Sequence, residues 1–435
     1  MPLKDLPIAI VGAGTAGLAS AILLARQGWP VTLYERVADL QPVGAGILLQ
    51  PSGLAALRKI GLLDECTALG APVSRLFGTS ACAQRVILDT RYEHWQANSF
   101  GLGIHRGVLM TALLNAARAA GVTIRTGISI SRFVQLPTHV RLLTDDGQGN
   151  EAVLGEHAAL ILADGTRSQL RAQMQVRQSV KAYPWGALWS IVPTPEGADS
   201  TDLRQWYRGC SQMFGIMPTG CTHADRHTRL SSLFWSLPVA SHGAWQEAGL
   251  DAWKDSVRKL AGEPAEAFLH ALNTPERLML ASYADVRMHQ WHDGRVLAIG
   301  DCAHAMSPQL GQGANMALVD AVALADALGA CTIGRAVDPA ACFAAYGAAR
   351  RAHLRYYRQA SRLLTPLFQS HSSLLAVLRD SALFVARHLP MGRQHAVTTL
   401  VGARTGWLLS GKGAAPLHAW RKPAPAEPVL EATSA

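Results

Sequence analysis

The run Ile8-Ala9-Ile10-Val11-Gly12-Ala13-Gly14-Thr15-Ala16-Gly17 decides the fold. Four apolar residues ending in a glycine read as a short strand buried on both faces. Thr15–Gln27 is rich in Ala and Leu at helical spacing, Gly28 stops it, and Val31-Thr32-Leu33-Tyr34 returns as a second strand. Such a unit implies parallel strands joined by a right-handed crossover. Each glycine has a task. Gly12 permits the tight turn, Gly14 lets the backbone approach a pyrophosphate, and Gly17 lets helix and strand pack closely. The helix start at Thr15 and Ala16 offers unpaired N–H groups to phosphate oxygens. Glu35, ending the second strand, is placed to accept hydrogen bonds from a ribose diol, and its charge disfavours a 2′-phosphate. FAD or NAD suits this loop better than NADP.

Outward from that unit, a helix is expected over Arg106–Ala120, then strands at Val122–Arg125, Val140–Leu143 and Leu160–Ala163. Between Tyr183 and Ser236 the texture changes to short runs dense in Trp, Tyr, Phe and Met: Trp185–Val192, Met213–Met217 and Leu230–Leu237. These read as an antiparallel sheet. Ala244–Leu272 reads as helical, Val296–Ile299 as another buried strand, and Ala314–Ala327 and Cys342–Arg387 as helices. From Gly411 through Pro425 the chain is Pro- and Ala-rich and reads as frayed. The expected division is 1–178 and 281–345 for one discontinuous dinucleotide-binding domain, 179–280 for a substrate-binding sheet, and 346–435 for a C-terminal helical segment.

The 435 residues are 49% hydrophobic and 16% charged, which supports a large core and excludes a disordered chain. The formal net charge is +9. Basic residues are scattered except for Arg350, Arg351, Arg355, Arg358 and Arg362, which read as the solvated face of a helix rather than a nucleic-acid footprint. Seven cysteines without a C-x-x-C pair read as free thiols of a reducing compartment. His223/His227 and His289/His292 have helical ligand spacing but lack the glutamate and third ligand of a zinc site, so no metal is expected. No opening signal segment and no apolar run of transmembrane length are read, so the expectation is a cytoplasmic protein, monomeric or homodimeric.

Two further motifs carry chemistry. Val296-Leu297-Ala298-Ile299-Gly300-Asp301-Cys302-Ala303-His304 delivers a carboxylate to a strand end, where open α/β sheets bind ligands. Pro308-Gln309-Leu310-Gly311-Gln312-Gly313-Ala314-Asn315-Met316 follows as a glycine-flanked helix start. Between the first motif and these lies Ala163-Asp164-Gly165-Thr166-Arg167-Ser168. Together with Glu35-Arg36 these segments resemble, in order from Ile8 to Arg358, the single-component FAD-dependent aromatic hydroxylases, the class A flavoprotein monooxygenases. Gly44-Ala45-Gly46-Ile47 and Ile104-His105-Arg106 are similar to family segments that line the flavin and touch its pyrophosphate. Leu162-Ala163 and Ser52 are mild departures from the family pattern.

The resemblance implies an α/β fold: a Rossmann-like parallel sheet for FAD, an antiparallel substrate-binding sheet and C-terminal helices. It implies reduction of FAD by NADH or NADPH, O₂ addition at the flavin C4a to give a hydroperoxide, and hydroxylation of an aromatic or other electron-rich small molecule. Asp164-Gly165 is associated in the family with FAD and the nicotinamide, Asp301 with the ribityl chain, and the Gly311–Asn315 turn with the pyrimidine edge. Helix-start N–H groups at Gly313–Asn315 suit negative charge on the reduced ring. His304 is a candidate proton acceptor, with a satisfied structural histidine as the other reading. Pro308 and Gln309 are expected over the reactive face opposite Leu48, with Gln309 orienting a substrate hydroxyl or tying the loop to its own backbone. Leu48 offers no charge to a phenolate or carboxylate. Trp189, Met213, Phe214 and Trp235 are candidate substrate walls or simply core. Three other functions stay open: a halogenase, disfavoured because Trp185 and Trp189 have the wrong spacing; an FAD-dependent dehydrogenase or reductase; and a membrane-docked flavoprotein using the apolar segment Leu374–Leu389 beside the arginine cluster.

Overall fold

The computed structural model describes residues 6–40, 45–145, 150–331 and 338–407; Gly44 and the stretch from Gly411 to Pro425 lie outside them. A six-stranded sheet runs in the order His292–Asp293, Val296–Ala298, Ala159–Leu162, Ile8–Val11, Val31–Glu35, Thr123–Thr126. All its pairings are parallel except that of His292–Asp293 with Val296–Ala298. The period of two in Ile8–Val11 divides it between two layers. Ile8 and Ile10 pack with the helices Thr15–Arg26 and Gly313–Cys331, whereas Ala9 and Val11 pack on the opposite face with Phe133, Val140 and Leu142.

The second sheet has seven strands, in the order Met279–Met288, Gln178–Pro193, Leu230–Pro238, Gln212–Gly220, Asp202–Arg208, Arg75–Ser80, Arg85–Arg91. It is larger than the expected 179–280 unit. Arg75–Ser80 joins it in parallel beside Asp202–Arg208, and Met279–Met288 completes the other edge. Strands from 75–91 therefore belong to the substrate sheet and not to the 1–178 unit. Pairing is chosen by which edges meet in space, which sequence neighbourhood does not report. The boundary at 345/346 also moves, because one helix runs through it over Pro339–Phe368. A second helix, Ser373–His388, begins after a break at Gln369, so Cys342–Arg387 is two helices and not one.

One face of the seven-stranded sheet is sealed by the helices His242–Ala261 and Glu263–His270, with Leu188, Phe214, Leu233 and Trp235 against Trp253, Val257 and Leu269. Trp235 and Trp253 meet edge to face at 6.3 Å, a pairing worth roughly 0.5–1.5 kcal/mol beyond area burial. The other face meets the flavin-side elements. A small sheet of Gly46–Leu49, Gly101–His105 and Ala71–Val73 packs on it closely enough that a Cβ at Gly103 would stand 1.9 Å from the Pro218 carbonyl oxygen.

The helix Gly313–Cys331 is long and apolar enough to cross a membrane, contrary to the expectation that no run reaches that length. Here it is a core helix, 67% buried, between Thr15–Arg26 and Pro339–Phe368.

Candidate functional site

The glycine loop lies at the carboxyl end of the first strand. Gly12 takes φ 105°, and a Cβ on it would stand 2.5 Å from the Ala163 carbonyl oxygen. A Cβ on Gly17 would stand 2.0 Å from the Gly12 oxygen, so neither position admits a side chain. Gly14 differs: a Cβ there would meet only Ala163 O, at 4.0 Å. It caps Thr15–Arg26 with no side-chain acceptor and no acidic residue in the first turn. A helix start of this kind leaves its first N–H groups, those of Thr15 and Ala16 among them, without intrahelical partners. Glu35 braces this loop by accepting from Ala13 N at 2.8 Å through Oε2 and from Val37 N at 3.0 Å through Oε1. Arg36 beside it is exposed.

Four distant segments complete the groove. Gly300, at φ 58°, has its N–H held at 2.9 Å by Asp320 Oδ2, and this aims the next residue, Asp301. Asp301 is exposed there, at the start of the short helix Asp301–His304. Desolvation raises its pKa against the pull of His304 and Arg106. A Cβ on Gly313 would lie 4.0 Å from Asp301 Oδ1, so the carboxylate and the helix start at Gly313-Ala314 line one wall. Arg106 is exposed at the start of the helix Arg106–Ala119. Asn315 is buried and bonded in three directions. Its Nδ2 donates to Leu48 O at 3.2 Å and to Gly311 O at 3.0 Å, and its Oδ1 accepts from Gln50 N at 2.7 Å. The Gly311 turn, at φ 60°, is thereby tied to the strand carrying Gly46, Ile47 and Leu48. Asp164 Oδ1 is buried without a partner beside Gly165 at φ 84°, and burial raises its pKa.

Tested against FAD, these features fit. The open approach at Gly14, the free helix-start N–H groups, the carboxylates of Glu35 and Asp301, the Arg106 cation and the orphaned Asp164 oxygen are what a dinucleotide with a ribityl chain requires.

Behind the groove lies a network that sequence reading missed. Asp320 accepts from His304 Nε2 at 2.6 Å, Arg350 Nε at 2.7 Å and Gly300 N. Arg350 also donates to His353 Nδ1. A guanidinium cannot accept, so His353 is neutral with its proton on Nε2, which donates to Gly402 O at 3.0 Å. Burial, with the Arg350 charge, holds the His353 pKa well below the usual range. Two expectations are corrected. His304 is a buried structural partner of Asp320 and not a free proton acceptor. Arg350, 2% exposed, leaves the solvated arginine face and is a core cation, because Asp320 draws it inward. The available signal was an acid, Asp320, set in the apolar run Ala317-Leu318-Val319-Asp320-Ala321-Val322.

The four candidate wall residues divide by strand alternation. Phe214 and Trp235 point to the helices on the far side of the sheet and are core, correcting their assignment to a substrate wall. Trp189 registers with Phe234, and Met213 with Tyr207, on the opposite face of the sheet, where Tyr207 meets Phe368 and Arg379 of the C-terminal helices. There Leu48 and Phe234 both pack against a cluster that includes Met217, Tyr92, Val397 and Val401. Met217 and Phe234 were overlooked, and so was the C-terminal turn. That turn reaches the site through Ser52 N to Val401 O at 3.1 Å and Gln312 Nε2 to Leu400 O at 2.8 Å. Pro308 and Gln309 form a short turn whose Leu310 packs with Leu354 and Tyr357, leaving Pro308 exposed and Gln309 half-buried.

A family model described as an FAD binding domain matches residues 5–361. The chain belongs to that family. This flavoprotein is 27% identical over 383 residues to 3-hydroxybenzoate 6-hydroxylase 1 of Aquipseudomonas alcaligenes, covering 86% of this chain and 92% of that one. It is 30% identical to 6-hydroxynicotinate 3-monooxygenase of Bordetella bronchiseptica, over 73% and 81% of the two chains. It is 32% identical to kynurenine 3-monooxygenase of Xanthomonas axonopodis pv. citri, over 80% and 76%. The flavoprotein is accordingly an FAD-dependent monooxygenase of the aromatic hydroxylase type. Among solved structures, HpxO R204Q of Klebsiella pneumoniae complexed with FAD superposes with a TM-score of 0.74 at 20% identity, covering 91% of this chain and 99% of that one. This likeness carries the fold: a parallel-sheet FAD domain with an antiparallel substrate sheet.

Proposed function

We propose that this flavoprotein uses NADH or NADPH and O₂ to hydroxylate a small aromatic substrate. One observation carries the reading. The groove wall formed by Asp301 and Gly313 adjoins, through the Asn315–Leu48 hydrogen bond, an apolar wall of Leu48, Met217 and Phe234. When bound, FAD supplies the oxygen-activating chemistry at C4a after reduction by the nicotinamide, and the protein supplies position and dryness. Glu35 and the N–H groups at Thr15 and Ala16 hold the ribose and phosphates, and Asp301 holds the ribityl chain. The helix start at Gly313–Asn315 places positive dipole against negative charge on the ring's polar edge. The apolar wall keeps water from the reacting centre. Gln309 donates or accepts a hydrogen bond at a substrate hydroxyl without adding a charge. The relatives named for hydroxybenzoate, hydroxynicotinate and kynurenine support an aromatic ring bearing a hydroxyl or amino group.

The test is a screen of NADH and NADPH oxidation over hydroxylated and amino-substituted aromatics, followed by product analysis under ¹⁸O₂. A hydroxylase places one labelled atom in the product. Substrate oxidation with no label incorporated would identify a dehydrogenase instead.

A further inference from the structure

The helix Ser373–His388 is mounted the wrong way round for a soluble surface. Its inward side carries the ion pair Arg379–Asp380, and both residues are buried. Arg379 Nη2 donates to Asp380 Oδ1 at 2.6 Å and its Nη1 donates to Gly209 O at 2.9 Å and Leu367 O at 3.0 Å. Ser80 donates to Asp380 Oδ2 at 2.5 Å. Successive residues of a helix turn by about 100°, so Leu374, Val377, Leu378 and Val385 form one stripe opposite Arg379 and Asp380. All are exposed, Leu374 by 68%. Leu389 and Met391, the latter 86% exposed, extend the apolar surface past the helix end. Leu363, on the preceding helix, is exposed as well. A soluble helix places its apolar stripe against the core, and contiguous exposed apolar surface marks an interaction site.

Charge names the partner. Of the nine arginines in residues 339–407, Arg350, Arg379 and Arg404 are buried; the six others are not, and the single acidic residue of this stretch, Asp380, is buried on Arg379. Exposed Arg362 adjoins Leu363, and exposed Arg393 follows Met391 by two positions. Two such cationic surfaces repel, which argues against a second copy of the chain as the occupant. Anionic phospholipid satisfies both the leucines and the arginines, the combination that holds amphipathic helices in a bilayer interface. We propose that Ser373–His388, with Leu389 and Met391, is a docking surface for an anionic membrane. The surface is independent of the flavin groove and of the substrate reading.

The experiment is co-sedimentation of the full-length holoprotein with vesicles of phosphatidylcholine alone and of phosphatidylcholine carrying roughly a quarter phosphatidylglycerol. Binding to the anionic vesicles is expected, weakening as salt rises. Leu374→Asp combined with Val385→Asp should lower that binding by about tenfold or more. Arg362→Gln with Arg393→Gln should weaken it and flatten its salt dependence. These positions are exposed, so each variant should keep the parent's melting temperature and flavin content, and that control separates lost docking from lost folding. The proposal is overturned by no preference for anionic vesicles, by binding indifferent to both double variants, or by a dimer in lipid-free solution that the Leu374→Asp/Val385→Asp pair dissolves while vesicle binding is absent.

Discussion

Asp320 and Arg350 come from different helices and meet in the interior, with Arg350 Nε donating to Asp320 Oδ1 at 2.7 Å. The same carboxylate fixes Gly300, so this pair sets the position of Asp301. Removing one member of a buried pair strands the other charge, at a cost of about 3–5 kcal/mol. Asp320→Asn is expected to lower the melting temperature strongly and to release flavin, both read in one fluorescence melt. Burial alone would raise the Asp320 pKa, but the His304 and Arg350 charges, with hydrogen bonds from His304 and Gly300, outweigh it and hold the carboxyl below its usual range. A depressed carboxyl stabilises the fold fully above the unfolded-state pKa near about 4. That contribution is lost as pH falls below it. Denaturant melts across this range should therefore show a steep acid loss in the parent and a shallower one in Asp320→Asn. Parallel slopes would remove Asp320 from the account.

Glu35 braces Ala13 and Val37, and in the proposed function it holds the ribose as well. Glu35→Ala should weaken FAD by roughly 1–3 kcal/mol, the cost of losing a charged hydrogen-bond partner. Glu35→Gln retains an acceptor and should recover part of that loss. Titration of the apoprotein by flavin fluorescence measures both, and unchanged affinity would take Glu35 out of the site.

Asp301→Ala should be the more damaging change to catalysis. The carboxylate shares a wall with Gly313, and a misplacement of about 1 Å at a reacting ring can cost roughly 100-fold in rate. Coupled turnover is expected to fall by that order even when FAD is added in excess. Full coupling with full flavin content would defeat the assignment.

Gln309→Leu separates a substrate role from a structural one. In the substrate role the variant keeps FAD and fold but diverts reduced nicotinamide into hydrogen peroxide, which a peroxidase-linked assay quantifies. Loss of stability instead would mean that Gln309 serves its own loop.

The parallel sheet was legible because its evidence is local. Ile8–Val11, the glycine loop and Glu35 lie within one short segment, and a period of two or a glycine beside a strand end has the same meaning wherever the chain goes. The strand runs around Trp189, Met213 and Trp235 were legible for the same reason. So was the family pattern, which is a set of local motifs in order.

What only the tertiary structure decided concerns partners far apart in the chain. Alternation separates Trp189 from Trp235, but which face meets the flavin side depends on where the helices holding Trp253 and Val257 pack. Arg350 sits in an arginine-rich stripe and yet is core, since Asp320 on a neighbouring helix neutralises it. Strands 75–91 entered the substrate sheet because an edge was open to them there. The helix of Leu374 and Val385 turned its leucines outward because Arg379 and Asp380, side by side in sequence, found Ser80, Gly209 and Leu367 on the body of the protein. Local patterns report backbone preference and periodicity. The energy of a buried charge depends on what reaches it through space, and the chain order alone does not contain that information.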